Sequence, residues 1–458
     1  MKKIILLLST LFISTIANAE TLEKSTFEIS KSCNISKNVE TDELNLADVI
    51  ELSMCNNPET RQAWLNTKVG STAYKRSYAS YYPQIDATAT YQDSNNEDYT
   101  GIPPVETNGK DLSAGLSLNW LLYDFGNREA QVEQTFQTMN SMNFQYNNTL
   151  QTVAYNVISA YYNALSSIEE LAAVKADEEA SKKSFELAFK KFELGMSSKA
   201  DTLQTETTYI QRQLDTVKQE QAVRLAKANL AKLLGLPPSM DIKLVTSYAN
   251  TTNELISKSV DEIIDIAMEK RPDLMAKIAD VKASYAKVRQ ASAAYFPTIS
   301  GFANKNWYDE DIDFGGIKRD RESDAIGVRV SLPIFTGFEH TYSLRNAKYS
   351  YAAEKEALQQ LKQDIELNIV NAYNDYKTSI KSVELATKML ESANENEQVA
   401  LGSYQAGKGD IISLMEAQSK LVSARKQSIS AQYDLYTAKI ALLKAAGDLN
   451  LKNLGSLQ

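Results

Sequence analysis

Enzyme chemistry needs nucleophiles, bases or metal ligands at set spacings, and this chain offers few of them. It has one histidine, His340, and two cysteines, Cys33 and Cys55, neither with a histidine beside it in sequence. HExxH, GxSxG, P-loop and GxGxxG contexts are missing. The adjacent acids Glu169 and Glu170, and Glu178 and Glu179, read as charges on helix faces instead of a spaced acid/base pair. The sequence therefore predicts no catalytic residue, no cofactor and no metal site. What remains are carboxylates in and just beyond two glycine-bearing stretches, "LGMSSKAD" (194–201) and "AGKGDIIS" (406–413): Asp201, Asp410 and Glu416. A carboxylate at such a place can cap a helix or sit on a solvated helix face. The surrounding elements decide which.

Prolines mark where those elements change. "ASYYPQIDATATY" (79–91) reads as helix up to Tyr82. After Pro83 it alternates, with Ile85, Ala87, Ala89 and Tyr91 on one side and Asp86, Thr88 and Thr90 on the other. "AAYFPTISGFAN" (293–304) behaves the same way around Pro297. The coincidence belongs to a repeat. Residues 57–87 align with 271–301, placing Pro58 on Pro272 and Pro83 on Pro297. Further on, "GLSLNWLLYDFG" (115–126) meets "GVRVSLPIFTGF" (327–338), "FELGMSSKADTL" (192–203) meets "YQAGKGDIISLM" (404–415), and Gly235 meets Gly447.

Each repeat predicts the same order. A helix opens at an N1 proline, Pro58 or Pro272. A strand follows the second proline, then a polar, acidic excursion (93–110; 309–324), expected to be an outer loop. A second strand returns, with Leu112, Ala114, Leu116, Leu118, Trp120 and Leu122 alternating in one repeat and Ile326, Val328, Val330 and Leu332 in the other. Trp120, Tyr123, Trp307 and Tyr308 are expected near strand ends, as in an aromatic girdle or as the cover of a soluble sheet. A very long helix (about 127–194 or 338–405), a turn and another helix (about 198–234 or 410–446) complete the unit. Leu414, Ala417, Leu421, Ala424, Ser428, Ala431, Leu435, Ala438, Leu442 and Ala445 form a coiled-coil seam. Leu150, Val153, Val157, Tyr161, Ala164, Ile168 and Leu171 form another. A helix of roughly 68 residues at about 1.5 Å each makes a rod of about 100 Å.

Strands of about ten residues or slightly more can cross a bilayer as tilted barrel strands. Four of them cannot close a barrel, since about eight is the smallest number that does. An open sheet in lipid leaves its edges unsatisfied. If these strands span a membrane, several chains must share one barrel. Each proline then marks a joint between a helical tube outside the bilayer and the barrel inside it.

The bulk numbers agree with export. Lys2 and Lys3 precede the apolar run Ile4–Ile16, and "ANA" at 17–19 offers a cleavage site, so residues 1–19 read as a signal peptide. Removing those two lysines takes the formal charge from −9 to −11, which argues against a nucleic-acid partner. An N-terminal extension spans 20–45, a first repeat 46–256 and a second 257–458. Cys33 and Cys55 would tie down the extension as a disulfide, or stay as two thiols.

In order and duplication these residues resemble the TolC family of Gram-negative outer-membrane efflux and secretion channels. The resemblance covers the chain from about Leu46 to Leu449. It rests on "LADVIELSMCNNPETRQAW", the Tyr82-Pro83 and Phe296-Pro297 joints, "SLPIFTGFE" (331–339) and "SYQAGKGDIISLMEAQSKLVSARKQ" (403–427). It implies a mainly α fold with membrane β: long coiled-coil helices forming a periplasmic tunnel, and four strands per chain of a barrel of twelve shared by a homotrimer. It also implies outer-membrane lipid around the barrel, a periplasmic adaptor (membrane fusion) protein and an inner-membrane transporter, ABC or proton-driven. Such a duct exports proteins, by type I secretion, or small toxic molecules, and "CNNPETRQAW" resembles the protein-secretion branch more.

The same resemblance gives the two turns a role. Gly195, Met196, Ser197, Ser198, Gly407 and Lys408 fall where the adaptor docks, and Asp201, Asp410 and Glu416 where acidic rings guard the periplasmic mouth. The family's acidic pair falls on Ser413 and Glu416, so one charge is missing, while Asp201 holds the equivalent place on the first hairpin. The family's basic latch residue falls on Gly409, with Lys408 adjacent. From the residues alone, Asp410 is a helix N-cap, and Gly195 and Gly407 end helices at positive φ. A coiled-coil stalk on the cell surface is the other reading, but it requires a head domain. The strand-to-strand excursions are too short to hold one.

Overall fold

The computed structural model describes residues 42–98, 105–245, 258–312 and 317–449. The signal-peptide assignment and Cys33 lie outside the described residues. The elements are α1 (Leu46–Asn56), α2 (Pro58–Ser77), β1 (Gln84–Asp98), β2 (Val105–Tyr123), α3 (Asn127–Glu193) and α4 (Lys199–Leu233). The second series is α5 (Val260–Lys270), α6 (Pro272–Ala293), β3 (Thr298–Ile312), β4 (Ile317–Ser331), α7 (Glu339–Gln405) and α8 (Ile411–Ala445). None of the described helices is long and apolar enough to cross a membrane.

Two compact units emerge, and they cut across the repeat. Of the described residues, one comprises those up to Leu65, within Phe144–Met275 and from Leu361 onward; the other comprises those within Asn66–Asn143 and Ala276–Gln360.

In the first unit the predicted seams are the core. Leu150, Val153, Val157, Tyr161 and Ala164 of α3 are buried, as are Leu414, Ala417, Leu421, Ala424, Ala431 and Leu442 of α8. Leucine and tyrosine fill the space that alanine leaves, so these helices approach closely. Polar ties register the two hairpins. Tyr433 donates to Glu169 at 2.8 Å, Gln418 to Ser184 at 3.0 Å, and Arg425 to the buried Asp177 at 2.6 Å. Burial pushes the Asp177 carboxyl up, against the opposing pull of Arg425 and Arg212.

Two short helices, α1 and α5, precede the N1 prolines. A capping box starts α1: Asn45 accepts from Asp48 N at 2.9 Å, and Asp48 accepts from Asn45 N at 3.0 Å. At the far end Asn57 donates to Leu233 O at 2.9 Å, and its repeat mate Arg271 donates to Ala445 O at 3.1 Å. Both contacts need glycine just beyond the long helix. Gly235 has φ +71°, and a Cβ there would meet Asn56 O at 2.5 Å. Tyr161, pushed up to about 12 mainly by burial, stays protonated and donates to Val245 O at 2.7 Å.

In the second unit a four-stranded antiparallel sheet runs in the order β1-β2-β3-β4, so β1 and β4 are its edges. Pro83 falls between a one-turn 3₁₀ segment (Tyr78–Tyr81) and β1, with Tyr82 extended at φ −95°, ψ 153°. That is the conformation a following proline imposes. Pro297 stands at the same place before β3.

The strands run farther than the sequence suggests. They claim most of 93–110 and 309–324, correcting the expectation of long outer loops: Asp93 pairs with Lys110, and Asp309 with Asp320. Polarity hid them, because a ladder needs only backbone groups and these stretches carry no apolar alternation. Trp307 and Tyr308 consequently lie within β3, not near its end, whereas Trp120 and Tyr123 do close β2.

The sheet has one apolar and one polar face. Ile85, Leu118, Ala303 and Ile326 stand in line across the apolar face; Asp86, Ser117, Asn304 and Ala325 stand in line across the polar one. Apolar positions run outward from Ile85 to Tyr91 on β1. On β4 they end at Ile326, beyond which come Asp324 and Glu322, and extend the other way through Val328 and Val330. The apolar band crosses the strands obliquely.

Candidate functional site

The two hairpin turns are built alike. After α3, Gly195 takes φ +70°, Gly195 N donates to Phe192 O at 2.9 Å and Met196 N to Lys191 O at 2.7 Å. After α7, Gly407 takes φ +72°, Gly407 N donates to Tyr404 O at 3.2 Å and Lys408 N to Ser403 O at 2.9 Å. Both are left-handed caps that satisfy carbonyls a helix end leaves free. Leu194 and Met196 are 74% and 71% exposed, an apolar tip of a kind soluble surfaces seldom leave bare. Ser197 donates to Ala188 O at 3.3 Å.

The start of the next helix differs between the repeats by an exchange. Ser198 caps α4 and Asp201, three residues on, completes a capping box, accepting from Ser198 N at 3.3 Å. Asp410 caps α8, accepting from Ser413 N at 2.7 Å, while the Ser413 hydroxyl donates to its other oxygen at 3.0 Å. Serine and aspartate have traded places. The bonds from Ser413 hold the Asp410 carboxyl below the usual carboxylate range. Glu416 is exposed on α8. Among the described residues none of these three carboxylates bonds another.

A contact the sequence hides ties the hairpins together. Lys191 Nζ donates to Tyr404 O and stands 4.0 Å from the centre of the Tyr404 ring. Tyr404 is buried with Ile411 and Leu414, against Leu187, Leu401 and Met415. Its hydroxyl has no partner among the described residues. Lys191 and Tyr404 are 213 residues apart, so no local pattern marks them.

The first joint is cemented by another such residue. Arg128 is buried, bonds Asp124 at 3.2 Å, and donates to the carbonyls of Leu121, Leu122 and Ser80 at 2.6, 3.1 and 3.2 Å. Its guanidinium stands 4.6 Å from the Tyr81 ring centre. Cys55 lies near the end of α1, but Cys33 is outside the described residues, so their pairing stays a proposal.

The sequence pattern of outer membrane efflux proteins matches residues 49–236 and again 263–448. Protein CyaE of Bordetella pertussis is 26% identical over 410 residues, covering 89% of this chain and 85% of that one. Outer membrane protein TolC of Escherichia coli is 21% identical over 426 residues, covering 90% and 84%. The solved outer-membrane channel OprN superposes with a TM-score of 0.77 at 19% identity, covering 88% of this chain and 90% of that one. The duplicated match, the four strands and the long helical hairpins agree: this chain belongs to the outer membrane efflux protein family, outer-membrane channels with a large periplasmic tunnel.

Proposed function

We propose that three copies of this chain form one duct through the outer membrane, and that the duct exports protein or small-molecule cargo delivered by an inner-membrane transporter through a periplasmic adaptor. The observation that carries the reading is the open sheet. Among the described residues its edges β1 and β4 are unpaired, one face is apolar and the other polar. An oblique apolar band is what strands tilted about 35–45° in a bilayer require, and three such sheets close into a barrel without edges. Leu203, Ile210, Leu214, Val217 and Leu225 of α4 are exposed in a single chain, a stripe that neighbouring copies would cover.

In this reading the tips are the working end. Gly195, Met196, Ser197, Ser198, Gly407 and Lys408 dock the adaptor, with Leu194 and Met196 as apolar anchors. Asp201, Asp410 and Glu416, each repeated three times about the axis, set the charge of the mouth and favour cations there. Asp201 and Asp410 also hold their helix starts, so Glu416 is the member whose charge is free for that task. Pro83 and Pro297 hand helices over to strands. The duct performs no chemistry, and its energy comes from the transporter. Planar-bilayer conductance tests the mouth: the native protein should give cation-favouring steps, and Glu416→Ala with Asp201→Ala should lose selectivity. Steps unchanged by these substitutions would discard the acidic mouth.

A further inference from the structure

Closing the sheet on copies of itself makes a claim about two particular side chains. Resting on the shared-barrel reading above, we infer that Asp86 of one copy and Arg329 of the next form an ion pair on the polar face at each of the three barrel seams.

Asp86 lies on edge strand β1 and Arg329 on edge strand β4, both exposed. They share the polar face, since Asp86 stands in line with Ser117, Asn304 and Ala325, and Arg329 lies four residues from Ala325. Within one chain they are kept apart. Asp86 has Ser117 opposite it and Arg329 has Ser300, with two strands between. The Arg329 guanidinium rests 5.2 Å from the Phe302 ring centre. Its partner across the open edge has to come from elsewhere.

Strand tilt sets which residue meets it. Four strands at about 4.8 Å span about 19 Å, and a tilt of about 35–45° turns that into a slide of about 13–19 Å along the strand. At about 3.4 Å per residue this is roughly four to six residues, and it must be even for like faces to meet. The direction comes from the apolar band. Within the chain Ile326 is in line with Ile85. Levelling the bands across the seam moves Ile326 to Ala89 or Tyr91, and the same slide brings Arg329 opposite Asp86 or Thr88. In the second case Asp86 is the diagonal neighbour, still within reach of a long side chain. Both registers bring opposite charges together and give Val328 and Val330 apolar partners on β1. Just above, Asp324 faces Tyr91 or Asp93 and Glu322 faces Asp93 or Asn95 on β1, so neither of these two acids meets a cation. The pair is thus an attractive charge contact that favours joining the seam at either of these slides.

Charge exchange tests this in the full-length protein in detergent. Asp86→Arg alone and Arg329→Asp alone each set like charges at all three seams, and each should cut the fraction of heat-resistant trimer at least about tenfold. The combined exchange should restore it to within about twofold of native. A native trimer whose double variant is no better than the worse single variant overturns the pair while leaving the barrel intact. A native protein that runs as separate chains overturns the shared barrel, and the pair with it. Should the charge reversals stop the protein reaching the membrane, Asp86→Asn and Arg329→Gln serve in a double-mutant cycle. Non-additive losses support the contact, and additive ones reject it.

Discussion

The two helix–strand joints have the same backbone and different cement. Each carries two consecutive residues at positive φ before its long helix: Phe125 (52°) and Gly126 (87°) in one, Gly337 (63°) and Phe338 (66°) in the other. Even the order of glycine and phenylalanine is exchanged, so the turn tolerates either residue at either place. Side chains tell the joints apart. Arg128 bonds Asp124 and three carbonyls from within the protein, and Trp120 Nε1 adds a bond to Tyr81 O at 2.9 Å. At the matching positions stand His340 and Thr336. His340 is half-buried, with its ring 5.7 Å from that of Tyr295, and Tyr295 donates to Thr341 at 3.3 Å. The duplication kept the backbone geometry of the joint and clamped only one copy with an arginine. The sole histidine stands where the other joint has its arginine.

The comparison breaks most readily at Arg128. Arg128→Ala leaves the buried Asp124 only the backbone N–H of residue 128, removes a donor from three carbonyls, and should cost about 3–5 kcal/mol in denaturant unfolding. His340→Ala should cost under about 1 kcal/mol. Equal losses would mean the joints are alike after all. Next in size is the first unit's buried pair. Arg425→Ala strands the Asp177 carboxylate and should cost about 2–3 kcal/mol near neutral pH. Asp177 already has a raised folded value, so its charge destabilises the fold above that value. The penalty is relieved as pH falls through it. The Arg425→Ala loss should therefore shrink on acidification; a loss that grows instead would reverse the assignment.

A gain should follow from building the missing clamp. Thr336→Asp with His340→Arg should stabilise the second joint by about 1–2 kcal/mol, read as a higher unfolding midpoint. Each substitution alone should gain nothing. The smallest effect compares the tips. Asp410 has a lowered folded value, so its cap contributes above the ordinary carboxylate range and fades as pH falls through the lowered value. Asp410→Ala should fray the start of α8 in hydrogen exchange at neutral pH and match the native protein in strong acid. Protection unchanged at neutral pH would show that the Ser413 bonds hold nothing.

Much of the fold was legible because periodicity is local. The α3, α4, α7 and α8 boundaries fall within about two residues of those read from seams, glycines and prolines. Two helices were not separated, α1 and α5, because Pro58 and Pro272 follow them so closely that the short runs read as lead-in. Strand ends were lost where alternation stopped, at Asp93 and Asp309. The cements were invisible for a different reason. Arg128 meets Ser80 across 48 residues and Arg425 meets Asp177 across 248, and only folding brings them together. Asp201, Asp410 and Glu416 could be named from the turns, but which of them spend their charge on capping became visible only in the bonds at Ser198 and Ser413.

The central claim is that the open sheet is one third of a barrel. Native mass spectrometry of the detergent-extracted protein counts the chains directly. The account predicts a particle of three copies that stays intact while detergent is stripped away. A particle of one chain, with its helices and strands still folded, would contradict it.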